Sequence, residues 1–142
     1  MDSIINLLKE KNHYLKKFYT LNKAEIIRLA EGDFTRLDYF YQSRENILDV
    51  ISHIEARMEE DLGKVQPASA ITEDERQKVR RELDFKDDVV NQILDQDLQI
   101  LTYIENAKTE LIKELQEVKK NRQVISAYHS GPQSNKRLRT IK

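Results

Sequence analysis

Glu10-Lys11-Asn12-His13 is the one Glu-x-x-His of the chain, the half-motif from which helical bundles build di-iron and di-manganese centres. Such a centre needs a second Glu-x-x-His and two further inward glutamates. No second motif exists, His53 and His129 lie in other segments, and acidic residues are expected to avoid the apolar stripes. Glu10 and His13 are therefore read as solvated surface residues, and no metal site is expected. Asp84, Asp87 and Asp88 share a helix face that could attract a cation, yet helical side chains alone rarely supply the six to eight oxygens that calcium takes. They are read as a solvated acidic face. With no cysteine, thiol catalysis, disulfides and cysteine-ligated metals are excluded. With three glycines in all, there is no Gly-rich phosphate cradle and no Gly-x-Ser-x-Gly turn. The chemistry-bearing residues thus point to a protein that is not an enzyme and uses no cofactor.

The elements that carry these residues are marked out by helix breakers. Gly32, Gly63, Pro67, Gly131 and Pro132 are the only glycines and prolines, and they leave 1–31, 33–62 and 68–130 uninterrupted. Glycine opposes a helix through backbone entropy and proline through a missing N–H and a ring clash, so stretches this long without them read as helices. Charged residues are 35% and hydrophobic residues 39% of the 142, a balance suited to slender bundles or coiled coils.

In the first segment Leu7, Tyr14 and Leu21 recur every seven residues, flanked by Ile4, Leu8, Leu15 and Phe18. Gly32 suits a helix C-terminus and Asp33 the N-cap of the next helix, so the second helix folds back antiparallel over 34–62. Its stripe, Leu37, Tyr41, Leu48, Ile51 and Met58 with Phe40, Ile47 and Ile54 beside it, is wide enough to touch two neighbours. Glu59, Glu60 and Asp61 crowd its last turn against the helix dipole, where fraying is expected. Residues 64–71 read as a linker, and Thr72 with Glu75 as a capping box opening a third helix over 73–128.

On that helix Leu83, Val90, Ile104, Leu111, Val118 and Ile125 share one heptad position, interrupted at Asp97. Ile93, Leu94, Ile100, Leu101, Ala107, Leu115 and Tyr128 form the adjacent column. Leu83, Val90, Ile93 and Ile100 are read as core. The third helix would run about 85 Å against about 45 Å for each of the first two. Either it breaks near residues 84–88 or it outruns its partners and leaves an apolar seam for another helix. The fold expected is all-α: an antiparallel helical hairpin plus one long C-terminal helix, a three- to four-helix elongated bundle or coiled coil. It occupies 1–130, with 131–142 a flexible basic tail.

A net charge of −1 gives no general attraction to nucleic acid or acidic membranes. The tail carries Lys136, Arg137, Arg139 and Lys142 without an interleaved aromatic, too little for nucleic-acid binding. No stretch approaches 18 consecutive apolar residues, so no membrane span is expected. The N-terminus has no basic segment followed by an apolar run, so no secretory signal is expected and the cytoplasm is the default location.

The turn Glu31-Gly32-Asp33-Phe34-Thr35-Arg36-Leu37 and the following Arg44-Glu45-Asn46-Ile47-Leu48 resemble the first hairpin of the FlgN/FliT-type flagellar type III export chaperones. Ile93-Leu94-Asp95-Gln96-Asp97-Leu98-Gln99-Ile100 resembles their Ile-x-x-Asp-x-x-Ile pattern, and the Lys-rich run from Leu115 ending in Ala127-Tyr128 resembles their last helical segment. The resemblance spans most of 1–130. It implies a cytoplasmic chaperone that holds a helical segment of a hook-associated or filament-cap protein and delivers it to the flagellar export gate. By resemblance the client-binding residues are Ile104, Leu111, Leu115, Val118 and Ile125, and Tyr128 contacts the gate. A second copy of the chain is a further candidate partner, and the rival reading is a structural coiled-coil oligomerisation or linker protein with no client.

Overall fold

A computed structural model describes residues 1–65 and 71–128. They form α1 (Asp2–Ala30), α2 (Leu37–Leu62) and α3 (Glu73–Tyr128), with no strand among the described residues. The expected all-α class and long third helix are both present. Pro67 and the tail from Gly131 onward lie outside the described residues.

The chain divides into two compact units, Met1–Tyr103 and Ile104 onward. In the first, α1 and α2 are antiparallel: Ser3 Oγ donates to Asp61 at one end, and Lys11 lies 3.9 Å from Glu55 further in. The first part of α3 runs parallel to α1, because Asn12 pairs with Glu82, Tyr19 with Gln96 and Asn22 with Asp97. Leu15, Phe18, Ile51, Val89 and Ile93 form the core cluster, drawing on all three helices.

Gly32 ends α1 as its position in the sequence suggests. Its φ of +81° lies in the left-handed region. Asp33 N–H donates to Arg28 O at 2.9 Å and Gly32 N–H to Leu29 O at 3.0 Å, the paired bonds of a Schellman ending. Asp33 does not cap α2. Its carboxylate accepts from Thr35 N–H at 3.0 Å and from the Thr35 hydroxyl, closing a turn that delays the helix to Leu37. These bonds hold the Asp33 carboxyl below the usual aspartate range, the Thr35 hydroxyl contributing most. The acidic last turn of α2 is helical to Leu62, Gly63 N–H donates to Glu59 O, and Ser3 donates to Asp61.

The capping box forms. Glu75 N–H donates to Thr72 Oγ1 at 3.1 Å, while Thr72 N–H donates back to Glu75 Oε1 at 3.2 Å. From there α3 continues without a break through Asp84–Asp88.

Gly32→Ala places a Cβ that meets nothing within 4 Å, so its cost is purely conformational, about 1 kcal/mol, read as a lower urea midpoint. The Glu75 carboxyl sits below its ordinary value of 4.5, chiefly through the Thr72 N–H and then the Thr72 hydroxyl. Because its folded value is depressed, the cap stabilises fully above 4.5 and is lost as pH falls through the folded value. Thr72→Ala removes the hydroxyl but keeps the N–H, so an NMR titration of Glu75 should move only part of the way back toward 4.5.

Candidate binding surface

Which faces of α3 are free depends on how its first half is held. Asn22 and Glu25 occupy positions where the α1 stripe Ile4, Leu8, Leu15, Phe18, Leu29 would otherwise be apolar, and both are fully buried. Glu25 corrects the expectation that carboxylates stay off the stripes. It is held by Arg28 at 3.1 Å on the next turn of the helix. Asn22 donates to Asp97 Oδ1 at 3.1 Å, and Arg44 of α2 approaches the same carboxylate at 3.3 Å. The Arg44 guanidinium also lies over the rings of Phe18 at 4.7 Å, Phe40 at 5.3 Å and Tyr41 at 5.9 Å. The apparent gap in the heptad at Asp97 is thus the point where α3 is tied to both other helices. Gln96 adds a bond to Tyr19 O at 3.1 Å, and Asn12 one to Glu82 O at 2.9 Å. Asn22 Oδ1, Glu25 Oε1 and Gln96 Oε1 take no donor among the described residues.

This anchoring splits one expected column in two. Ile93 and Ile100 are buried, whereas Leu94 and Leu101 are exposed, since a step of one residue turns about 100° round a helix. Leu98 joins them, so Leu94, Leu98 and Leu101 make an exposed apolar row at spacings of four and three. Leu83 is exposed rather than core, and Val90 is half-buried against the core cluster. Tyr41 and Leu48 are the exposed apolar residues of the α2 stripe in this region, and a cleft of about 500 Å³ is lined by Leu15, Leu48, Ile51, Glu55, Lys86 and Val90.

The second unit, among the described residues, is the single helix from Ile104 to Tyr128. Ile104 is half-buried. Leu111, Leu115, Val118 and Ile125 are 49% to 60% exposed. Ile112 and Val124 are also exposed and were not singled out from the sequence. Ile112 follows Leu111 by one position and widens the seam, a signal present in the one-residue offset of two apolar columns. Tyr128 ends α3, and its side chain lies outside the described residues.

The described residues considered above for metal binding or catalysis lie at the surface. Glu10 and His13 are both exposed, His13 lying edge-on to Tyr14. Asp84, Asp87 and Asp88 are exposed, with Asp87 3.3 Å from Lys86. Among the described residues no three His, Asp or Glu side chains are placed to hold a metal ion, and no helix is long and apolar enough to cross a membrane.

Comparison with protein-family models, curated proteins and solved structures finds no match to this chain.

Arg44→Ala should destabilise the protein by about 1–2 kcal/mol, because it strips the cation from the half-buried Asp97 and removes its stacking on three aromatic rings. Asp97→Ala should cost a similar amount. Urea unfolding of the double variant should show a loss smaller than the sum by about 1 kcal/mol or more, the signature of direct coupling.

Proposed function

We propose that this chain is a non-enzymatic chaperone that shields a helical segment of a client protein, of the kind used in flagellar type III export. The observation that carries the reading is the contrast between the two units. In the first, Leu15, Phe18, Ile51, Ile93 and Ile100 are buried. In the second, a single helix leaves Leu111, Leu115, Val118 and Ile125 about half exposed. Large apolar residues recurring at helical spacing on one exposed helix face suit a docking site for another amphipathic helix.

The energetics suit transient holding. Covering four half-exposed aliphatic side chains contributes on the order of 5 kcal/mol before the costs of association. That magnitude favours a complex that forms and releases over an obligate one. The flagellar client, the cytoplasmic setting and the gate contact at Tyr128 rest on the resemblance of the Gly-Asp turn, Arg44-Glu45, Asp95-x-Asp97 and Ala127-Tyr128 to the FlgN/FliT-type chaperones.

Light scattering of the purified chain, alone and with the terminal helix of a hook-associated or filament-cap protein, tests the proposal. A one-to-one complex with such a helix is the expected result. A stable self-oligomer indifferent to every such helix would instead favour the coiled-coil linker. Leu111→Asp with Val118→Asp should abolish client binding, with helix content by circular dichroism largely retained.

A further inference from the structure

The seam of the second unit has a second property, which concerns the partner's charge and rests on the helix-docking reading above. Ile104, Leu111, Val118 and Ile125 recur every seven residues, and the positions that interleave with them at spacings of four and three are Lys108, Leu115 and Arg122. The row that a partner helix would cover thus reads Ile, Lys, Leu, Leu, Val, Arg, Ile. It contains two cations and no carboxylate. Lys108 and Arg122 are exposed, and neither has an ion-pair partner among the described residues. Lys113 and Glu110, by contrast, pair at 3.7 Å.

A buried or half-buried cation without a counter-charge opposes docking, because its desolvation is not offset. A second copy of the same seam cannot supply that counter-charge. In a parallel pair Lys108 would face Lys108 and Arg122 would face Arg122. In an antiparallel pair centred on Leu115, Lys108 would face Arg122. Shifting that register to set Leu111 against Leu115 places Lys108 against Val118 and Arg122 against Ile104. Every arrangement sets like charges together or buries a cation against aliphatic carbon.

We propose that Lys108 and Arg122 select the partner: an amphipathic helix with apolar residues along its seam and two acidic residues set two heptads apart within that seam. Leu115, midway between the cations, takes the partner's central apolar residue. The two charges fix register as well as sign, since a slip of one heptad pairs at most one of them. Lys and Arg also carry aliphatic stems that pack on a partner's apolar side chains while their heads reach its carboxylates.

The test uses the full chain and synthetic helical peptides of identical heptad pattern. The two seam positions, fourteen residues apart, are both Glu, both Gln or both Lys, and each set is made with these positions at a or at d to cover parallel and antiparallel docking. Isothermal titration should show the Glu peptide of one orientation binding at least about tenfold tighter than its Lys counterpart, with Gln between them and the gap narrowing in high salt. The variant K108E/R122E, whose two sites are exposed, should invert the order. Equal binding of all three peptides in both proteins would overturn charge selection while leaving helix docking intact. Failure of every peptide, Gln included, would overturn the docking reading itself. A wild-type self-oligomer that K108E/R122E leaves unchanged would also overturn the proposal, because a second copy would then occupy the seam regardless of charge.

Discussion

The carboxylate of Asp97 is the constraint on which the first unit depends. It receives the Asn22 amide from α1 and the Arg44 guanidinium from α2. One side chain of α3 therefore answers to both arms of the hairpin. The group is half-buried, and its value is specificity, because only one register brings both donors to it. Gln96 beside it and Asn12 further down repeat the same demand on α1 backbone and side-chain groups. Apolar contacts alone would tolerate a slip of one turn, since Val89, Ile93 and Ile100 would still meet greasy neighbours. The polar bonds would not.

The aromatic setting of Arg44 makes this tie effective. Phe18, Phe40 and Tyr41 surround the guanidinium with ring faces, so the cation is favoured from its flanks as well as by the carboxylate. Glu25, fully buried and held by Arg28, adds a second ion pair within α1. The first unit is thus held by a few long-range polar bonds laid through a conventional helical core. With α3 so oriented, Ile93 and Ile100 face inward and Leu94, Leu98 and Leu101 face out.

Local signals were legible in the residues and distant ones were not. Gly32 and the pair Thr72 and Glu75 act within a few residues of themselves, and both form the endings their types imply. Asp33 has an equally local signal, but the competing Thr35 N–H lies two residues on and captures the carboxylate before it can cap α2. Asp97 looked like a flaw in a heptad because its partner Arg44 is 53 positions away and Asn22 is 75. Glu25 was missed for a related reason: a stripe is recognised by its apolar members, and a buried charge in line with them is indistinguishable from a surface one until its neighbours are known. In the second unit the apolar seam was visible from spacing, whereas its two cations were passed over because lysine and arginine in a charged helix carry no signal individually.

The parallel alignment of α1 with the first part of α3 has a consequence for biogenesis. α1 and α2 precede α3 in the chain and pair directly, Ser3 with Asp61 and Lys11 beside Glu55, so they can associate while the remainder is still being translated. Asp97 then arrives to close the bundle, and until it does the Arg44 guanidinium and the Asn22 amide have no carboxylate to share. The polar ties of the first unit are therefore completed only once synthesis has passed Asp97.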